Sequence, residues 1–275
     1  MQVFDTPGSV SLQVKLPSGR VGVTTVDEAR TSVELVPLGR RGADAIEGVA
    51  VTMDEFSGRH VVRIEQKGLR WGPIQVTLGD EVEVRVTCPR GTALELSGAK
   101  THVHVVGELG DVSVKTVSGD VRLESVRRKV EIKTASGDIA MASLDGVAGL
   151  VTVSGDIEVG RVAGELSVRA VSGDVVIGSL DGQLALSTTS GDASIKALEG
   201  GEVRAQTVSG DVRIGVGRGT RVWIDAASVS GDLRSDLGLG DEQPASDEGR
   251  PVVPLYVKTV SGDVSIVRAT ERVPV

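Results

Sequence analysis

Hydrophobic and polar residues alternate along most of this chain, and the alternation is locked to one triplet, Ser-Gly-Asp. The triplet begins at Ser118, Ser136, Ser154, Ser172, Ser190, Ser209, Ser230 and Ser261. With each Ser as position 0, positions −6 and −4 are aliphatic: Val112 and Val114, Val130 and Ile132, Leu166 and Val168, Leu184 and Leu186. Positions +3 and +5 repeat the pattern in Val121 and Leu123, Ile139 and Met141, Ile157 and Val159, Val175 and Ile177, Val264 and Ile266. A period of two predicts strands with one buried face. The first four intervals between triplets are 18 residues, followed by 19, 21 and 31. Two short strands and two turns fill such an interval.

The fixed phase predicts an all-β fold: a single-chain parallel β-solenoid of about 18 residues per turn, with like positions stacked in columns roughly 4.8 Å apart. Eight repeats would extend on the order of 40 Å. Gly119, Gly137, Gly155, Gly173, Gly191, Gly210, Gly231 and Gly262 supply the conformational freedom of the first turn. Gly146, Gly164, Gly182 and Gly200 mark the second. Asp120, Asp138, Asp156, Asp174, Asp192, Asp211, Asp232 and Asp263 form an acidic column. Like charges so close need compensation, and the expected partners are amides of each Asp's own turn. Position −2 is usually Thr, placed by parity at an inner corner with its hydroxyl on the turn backbone. Position −1 is usually Val, which interrupts the alternation and leaves open which of the two points inward.

Residues 1–96 are strand-rich but less regular and read as an N-terminal β cap, either separate from the solenoid or continuous with it. Ser18-Gly19-Arg20 resembles a degenerate repeat turn. Ser97-Gly98-Ala99 resembles a decayed one, 21 residues before Ser118. Pro89-Arg90-Gly91 is a turn signal. The stretch 38–48 reads as a loop, 97–267 as the solenoid and 268–275 as a tail. The segment 238–254, rich in Asp, Glu, Gly and Pro, reads as an acidic loop.

Composition narrows the function. A net charge of −8 and a pI near 5.1 argue against nucleic-acid binding and adsorption to anionic lipid. Cys88 is the single cysteine, so there is no internal disulfide. No run approaches the ~20 apolar residues of a membrane span, and the start carries no secretory pattern, so the expected compartment is the cytoplasm. His102 and His104 share a strand face without a third ligand, His60 is distant, and Cys88 has no neighbouring base. The acidic column lacks the glycine-rich nonapeptide of calcium-binding β-rolls. The outer positions show no paired carboxylates for glycan cleavage. No catalytic residue, metal or cofactor is therefore expected.

The segments 116–121, 134–139, 171–175, 207–212 and 259–264, variants of Thr-Val-Ser-Gly-Asp-Val, together with 84–89, Gly91 and 94–98, resemble the bacterial candidate-adhesin β-strand-repeat family called toastrack, a domain of unknown function. The resemblance covers most of the chain. It implies a parallel β-solenoid and a non-enzymatic role, in a family linked with cell-surface adhesion or envelope stress.

The expected function is a scaffold or protein-interaction module, with an unknown protein partner or self-association. The alternatives are a self-assembling structural protein and a polysaccharide-acting β-helix enzyme. Small or apolar outward residues at Ala140, Ala142, Gly160, Val176, Gly178 and Val151 mark the candidate interaction face. The same columns elsewhere carry Arg122, Glu124, Lys196, Arg213, Lys115 and Lys133.

Overall fold

A computed structural model describes residues 1–38, 46–56, 58–66, 69–71, 74–76, 81–237 and 252–269. The chain divides into two compact units, Met1–Ala142 and Ser143–Val275.

The first unit opens with β1 (Gln2–Asp5), β2 (Ser9–Lys15), β3 (Ser18–Val26), β4 (Arg30–Pro37), β5 (Val49–Phe56) and β6 (Arg59–Gln66). Among the described residues the short strands β7 (Leu69–Trp71) and β8 (Ile74–Val76) pair with each other, and β9 (Val82–Pro89) follows. The repeats then supply β10 (Ala93–Ser97), β11 (Lys100–Leu109), β12 (Val112–Lys115), β13 (Val121–Val126), β14 (Lys129–Lys133) and β15 (Ile139–Leu144). Pairing is parallel wherever repeat meets repeat, with Val112 beside Leu94 and Val130. It is antiparallel for β1 with β4, β4 with β9 and β5 with β6. The sheet is therefore mixed, which corrects the expectation of a purely parallel architecture. Some of the irregular N-terminal strands differ in direction as well as in regularity: β5 lies along the outer side of β6, β4 along that of β9, and β1 along β4.

The second unit contains β16 (Val147–Ser154), β17 (Ile157–Val162), β18 (Glu165–Ser172), β19 (Val175–Ser190) and β20 (Ala193–Ser209). It continues with β21 (Val212–Val216), β22 (Arg221–Ser230), β23 (Leu233–Ser235), β24 (Val252–Ser261) and β25 (Val264–Arg268). Among the described residues β16 through β25 pair in parallel, and each rung is a strand before the triplet and a strand after it. The inward columns form a thin aliphatic core: Ile157, Val159, Leu166, Val168, Val175 and Ile177 are all 2% exposed or less. Burial of this kind stabilises by about 25 cal/mol per Å² of apolar surface.

Rungs do not stack in chain order at either terminus. In the second unit β24 lies between β20 and β22, and β25 between β21 and β23. The Ser261 rung is thus inserted beside the Ser209 rung, and the earlier Ser230 rung is displaced outward. The same transposition occurs in the first unit, where β2 lies between β6 and β10 and β3 between β9 and β11. At the C-terminal transposition the inner faces explain the order. β24 and β25 offer Val253, Leu255, Val257, Val264 and Ile266, all 3% exposed or less. β22 and β23 offer the weaker set Val222, Ile224, Ala226, Ser228, Leu233 and Ser235. The more apolar rung takes the place covered on both sides.

Register corrects two turn assignments. Lys100, Thr101 and His102 stand opposite Ser18, Gly19 and Arg20, and Val103 stands opposite Val121. Ser18-Gly19-Arg20 therefore occupies the triplet column, while Ser97-Gly98-Ala99 falls ahead of it and Ser97 faces Lys115. At the second turn Gly201, not Gly200, faces Gly182, because the strand bulges by one residue there. This bulge accounts for the 19-residue interval. Pro89-Arg90-Gly91 does turn, with the Thr92 amide donating to the Pro89 carbonyl at 3.3 Å. Most of the loop read at 38–48, the part of the acidic segment at 238–251 and the tail end 270–275 lie outside the described residues, whereas 252–254 belong to β24.

Candidate interaction surface

The recurring corner before and within the triplet gives each rung its surface chemistry. Thr at −2 points inward: Thr152, Thr188, Thr207 and Thr259 are 5% exposed or less. Val at −1 points outward, with Val153, Val171, Val208 and Val260 at 46–50% and Val229 at 81%. Thr189 is exposed in the same column. In the first unit Val117 is likewise outward, at 55%. The ambiguity between the two β-branched residues is thus resolved, and the outcome is an apolar ladder facing solvent. Register keeps it straight, with Ser154, Ser172, Ser190, Ser209, Ser261 and Ser230 aligned one above another.

The hydroxyls of this column meet the expectation at Thr116 and Ser228 and not at the other threonines. Thr116 Oγ1 donates to the Ala99 carbonyl at 3.4 Å. The hydroxyls of Thr134, Thr152, Thr188, Thr207 and Thr259 have no hydrogen-bond partner. In the same column Ser228 Oγ donates to the Gly262 carbonyl at 3.1 Å.

Asp at +2 builds a second ladder, and its acceptor role differs from the one expected. Along the ladder a carboxylate serves the amide of the neighbouring rung rather than its own turn, with Asp232 at the end serving none among the described residues. Asp156 Oδ1 accepts the N–H of Asp174 at 2.9 Å, Asp174 that of Asp192 at 2.9 Å, and Asp192 that of Asp211 at 2.8 Å. Asp211 then serves Asp263, and Asp263 serves Asp232, both at 2.8 Å. In the first unit Asp120 serves Asp138 at 3.3 Å, and His102 Nδ1 accepts the N–H of Asp120 at 3.2 Å. The stacked amide dipoles offset the repulsion between carboxylates.

Glycine at +1 is required by close approach. A Cβ on Gly210 would collide with the Gly191 carbonyl, and one on Gly262 with the Gly210 carbonyl. Both residues also have positive φ, 150° and 155°.

The remaining candidates do not converge. His60 is buried, with Nε2 3.0 Å from the Pro7 carbonyl oxygen. His102 is engaged at the head of the Asp ladder, and His104 is exposed. Among the described residues no group of three or more His, Cys, Asp or Glu is placed to hold a metal ion. Cys88 is fully buried, and burial pushes its thiol up to about 11 against a weaker opposing hydrogen bond from Thr92. A groove of about 350 Å³ follows the Asp ladder past Asp192, Asp211 and Asp263, with Arg213 and Arg234 beside it. The hydrogen bond and charge of Asp232, chiefly, hold the Arg234 guanidinium above its ordinary pKa.

Of the small-residue face, Ala142 and Gly160 are exposed, and Ala140, Val151, Val176 and Gly178 are half-buried. Val151 lies on β16, before the turn, whereas Gly160, Val176 and Gly178 lie on β17 and β19, after it. Val176 stands beside Glu158, so its column is not free of charge. A Cβ on Gly178 would collide with the Gly160 carbonyl, which gives that glycine a backbone reason.

One cluster escaped sequence reasoning. Trp223 and Tyr256 meet edge to face with centroids 5.5 Å apart, and the Arg204 guanidinium lies 4.5 Å from the Tyr256 ring centre. All three are on outward positions of β22, β24 and β20. The rarity of aromatics, five in the chain, was the signal available.

Repeating rungs, inward aliphatic columns and outward ladders of Val, Ser and Asp define a β-repeat protein whose surface is organised by stacking. The chain belongs to the Toastrack DUF4097 family, whose family model matches residues 9–267. No curated protein matches the sequence. Among solved structures it is similar to a candidate adhesin from Bacteroides fragilis, with 12% identity, 96% and 95% of the two chains covered and a TM-score of 0.45. A candidate adhesin from Parabacteroides distasonis gives 13%, 96% and 95%, and 0.44. A candidate cell adhesion protein from Clostridium sporogenes gives 12%, 97% of each chain, and 0.26. No helix among the described residues is long and apolar enough to cross a membrane.

Proposed function

We propose that this chain is a non-enzymatic β-solenoid scaffold that binds a protein partner along its outward valine ladder. One observation carries the reading. Position −1 holds Val in six of eight repeats, and Val153, Val171, Val208 and Val260 are each about half exposed in one aligned column. Strand propensity and stacking of Val on Val favour such a column by themselves; its outward exposure adds a contiguous apolar stripe, and such stripes mark interaction sites. The flanking Ser and Asp columns give that stripe a polar rim. The adhesin-like names of similar structures agree with a binding role.

The test is affinity purification from the native host with the wild-type chain and a Val153→Ser, Val171→Ser, Val208→Ser, Val260→Ser variant. A saturable partner recovered by wild type and lost by a variant of equal melting temperature supports the ladder. Equal recovery by both removes it.

A further inference from the structure

The Ser230 rung is an end rung of the second unit that lacks the covering its counterpart in the first unit has. There, β5 and β4 lie antiparallel along the outer sides of β6 and β9. In the second unit β22 pairs with β24 and β23 with β25, and among the described residues neither has a strand on its other side. Exposure agrees. Ile224 and Leu233 lie in columns whose neighbours one rung inward, Leu255 and Val264, are at most 1% exposed, yet they are 36% and 51% exposed. Trp223 on the outward face is 52% exposed.

We propose that β22 is a homodimer interface, pairing antiparallel with β22 of a second copy about a two-fold axis at Ile224. Charge selects the occupant and the register. β22 and β23 with their turn carry Arg221, Asp225, Asp232 and Arg234, two of each sign, so this rung is neutral in a chain of net charge −8. A second copy therefore approaches without local repulsion. An axis at Ile224 places Ile224 against Ile224, Val222 against Ala226, Trp223 against Asp225 and Arg221 against Ala227. Inner-face residues then meet inner-face residues, and no like charges oppose. An axis one residue on, at Asp225, would set two carboxylates face to face, which is unfavourable. An axis midway between residues would match inner faces with outer ones. A single self-complementary edge closes as a two-fold pair rather than growing into a fibre. This inference does not depend on the valine ladder, which lies on a different column.

The axis predicts a specific cross-link. A residue on a two-fold axis of an antiparallel pair faces its own copy with Cα atoms about 4.5–5.5 Å apart, within disulfide range. Ile224→Cys in the full chain should oxidise to a covalent dimer at micromolar concentration. Trp223→Cys, which faces Asp225, should do so at least roughly tenfold more slowly, and the wild type, whose Cys88 is buried, not at all. Light scattering should show the wild type as a dimer that dissociates on dilution. Ile224→Lys should be monomeric, and Ala227→Ser, at the edge of the pairing, should stay dimeric. A wild type monomeric at all concentrations, with no Ile224→Cys cross-link, would overturn the proposal and leave the connecting segment 238–251 as the cover. Equal cross-linking at both cysteines, or mass that keeps rising with concentration, would overturn it as well.

Discussion

Asp211 Oδ1 accepts the backbone N–H of Asp263 at 2.8 Å, across 52 residues, while the next triplet in the chain is passed over. Asp232, the residue passed over, donates instead to Asp263. The Asp ladder therefore records the spatial order of the rungs, and the Gly column repeats it, since Gly262 abuts the Gly210 carbonyl and Gly231 the Gly262 carbonyl.

The ladder makes unequal demands on chemically identical residues. Asp211→Ala removes the acceptor of an amide in the next rung and should cost about 1–2 kcal/mol, the range of a charge-assisted hydrogen bond discounted for exposure. Asp211→Asn keeps an acceptor and should cost less than half of that. Asp232 accepts no rung amide among those described, so Asp232→Ala should lie within ~0.5 kcal/mol of wild type. Chemical denaturation of the three variants checks the ranking. Equal losses at positions 211 and 232 would mean that these carboxylates act through their own turns.

The strands were legible because burial imposes its parity on sequence. Val168 and Ile177 read as inward from alternation alone and are 0% and 1% exposed. Three features were not legible, each for a physical reason. Thr and Val at −2 and −1 are both β-branched and of similar size, so pattern cannot assign one to the core. An Asp carboxylate can serve its own turn or the next rung with the same composition. Rung order depends on comparing whole inner faces, and every triplet is locally interchangeable. The lengthened intervals of 21 and 31 residues around Ser230 were the trace of the crossing, because a chain that skips a rung and returns needs extra length. The exposed Val column was visible in sequence, but its direction was not.

The inward Thr column supports a prediction of opposite sign to the usual one. Thr188 is 4% exposed and its hydroxyl has no partner, a state that costs about 1–3 kcal/mol when a polar group is buried. Ala170, directly beside it in the ladder, shows that the column does not need a hydroxyl. Thr188→Val is nearly isosteric and should raise stability by about 1 kcal/mol. The expected reading is an upward shift of the denaturation midpoint with unchanged slope. A loss of ~1 kcal/mol or more would show that the hydroxyl is hydrogen-bonded in solution.

The buried thiol of Cys88 gives stability a defined dependence on pH. Burial keeps it protonated in the folded chain up to about 11. In the unfolded chain the thiol ionises near pH 8.5, so above that point the unfolded state binds fewer protons than the folded one. Its contribution is fully present below pH ~8.5 and is lost as pH rises towards 11, at up to about 1.4 kcal/mol per pH unit. The informative quantity is the difference between wild type and Cys88→Ala. The alanine variant should be the less stable at pH 7, because it leaves a small cavity in a fully buried site. Between pH 8.5 and 10.5 that deficit should shrink by about 2–3 kcal/mol as the wild type loses a term the variant lacks. Parallel stability curves across that window would show that the folded thiol ionises as readily as the unfolded one, and the site would then have to admit water. Maleimide labelling gives a second reading: at pH 7.5 it should proceed only as fast as the chain unfolds, and in denaturant without delay.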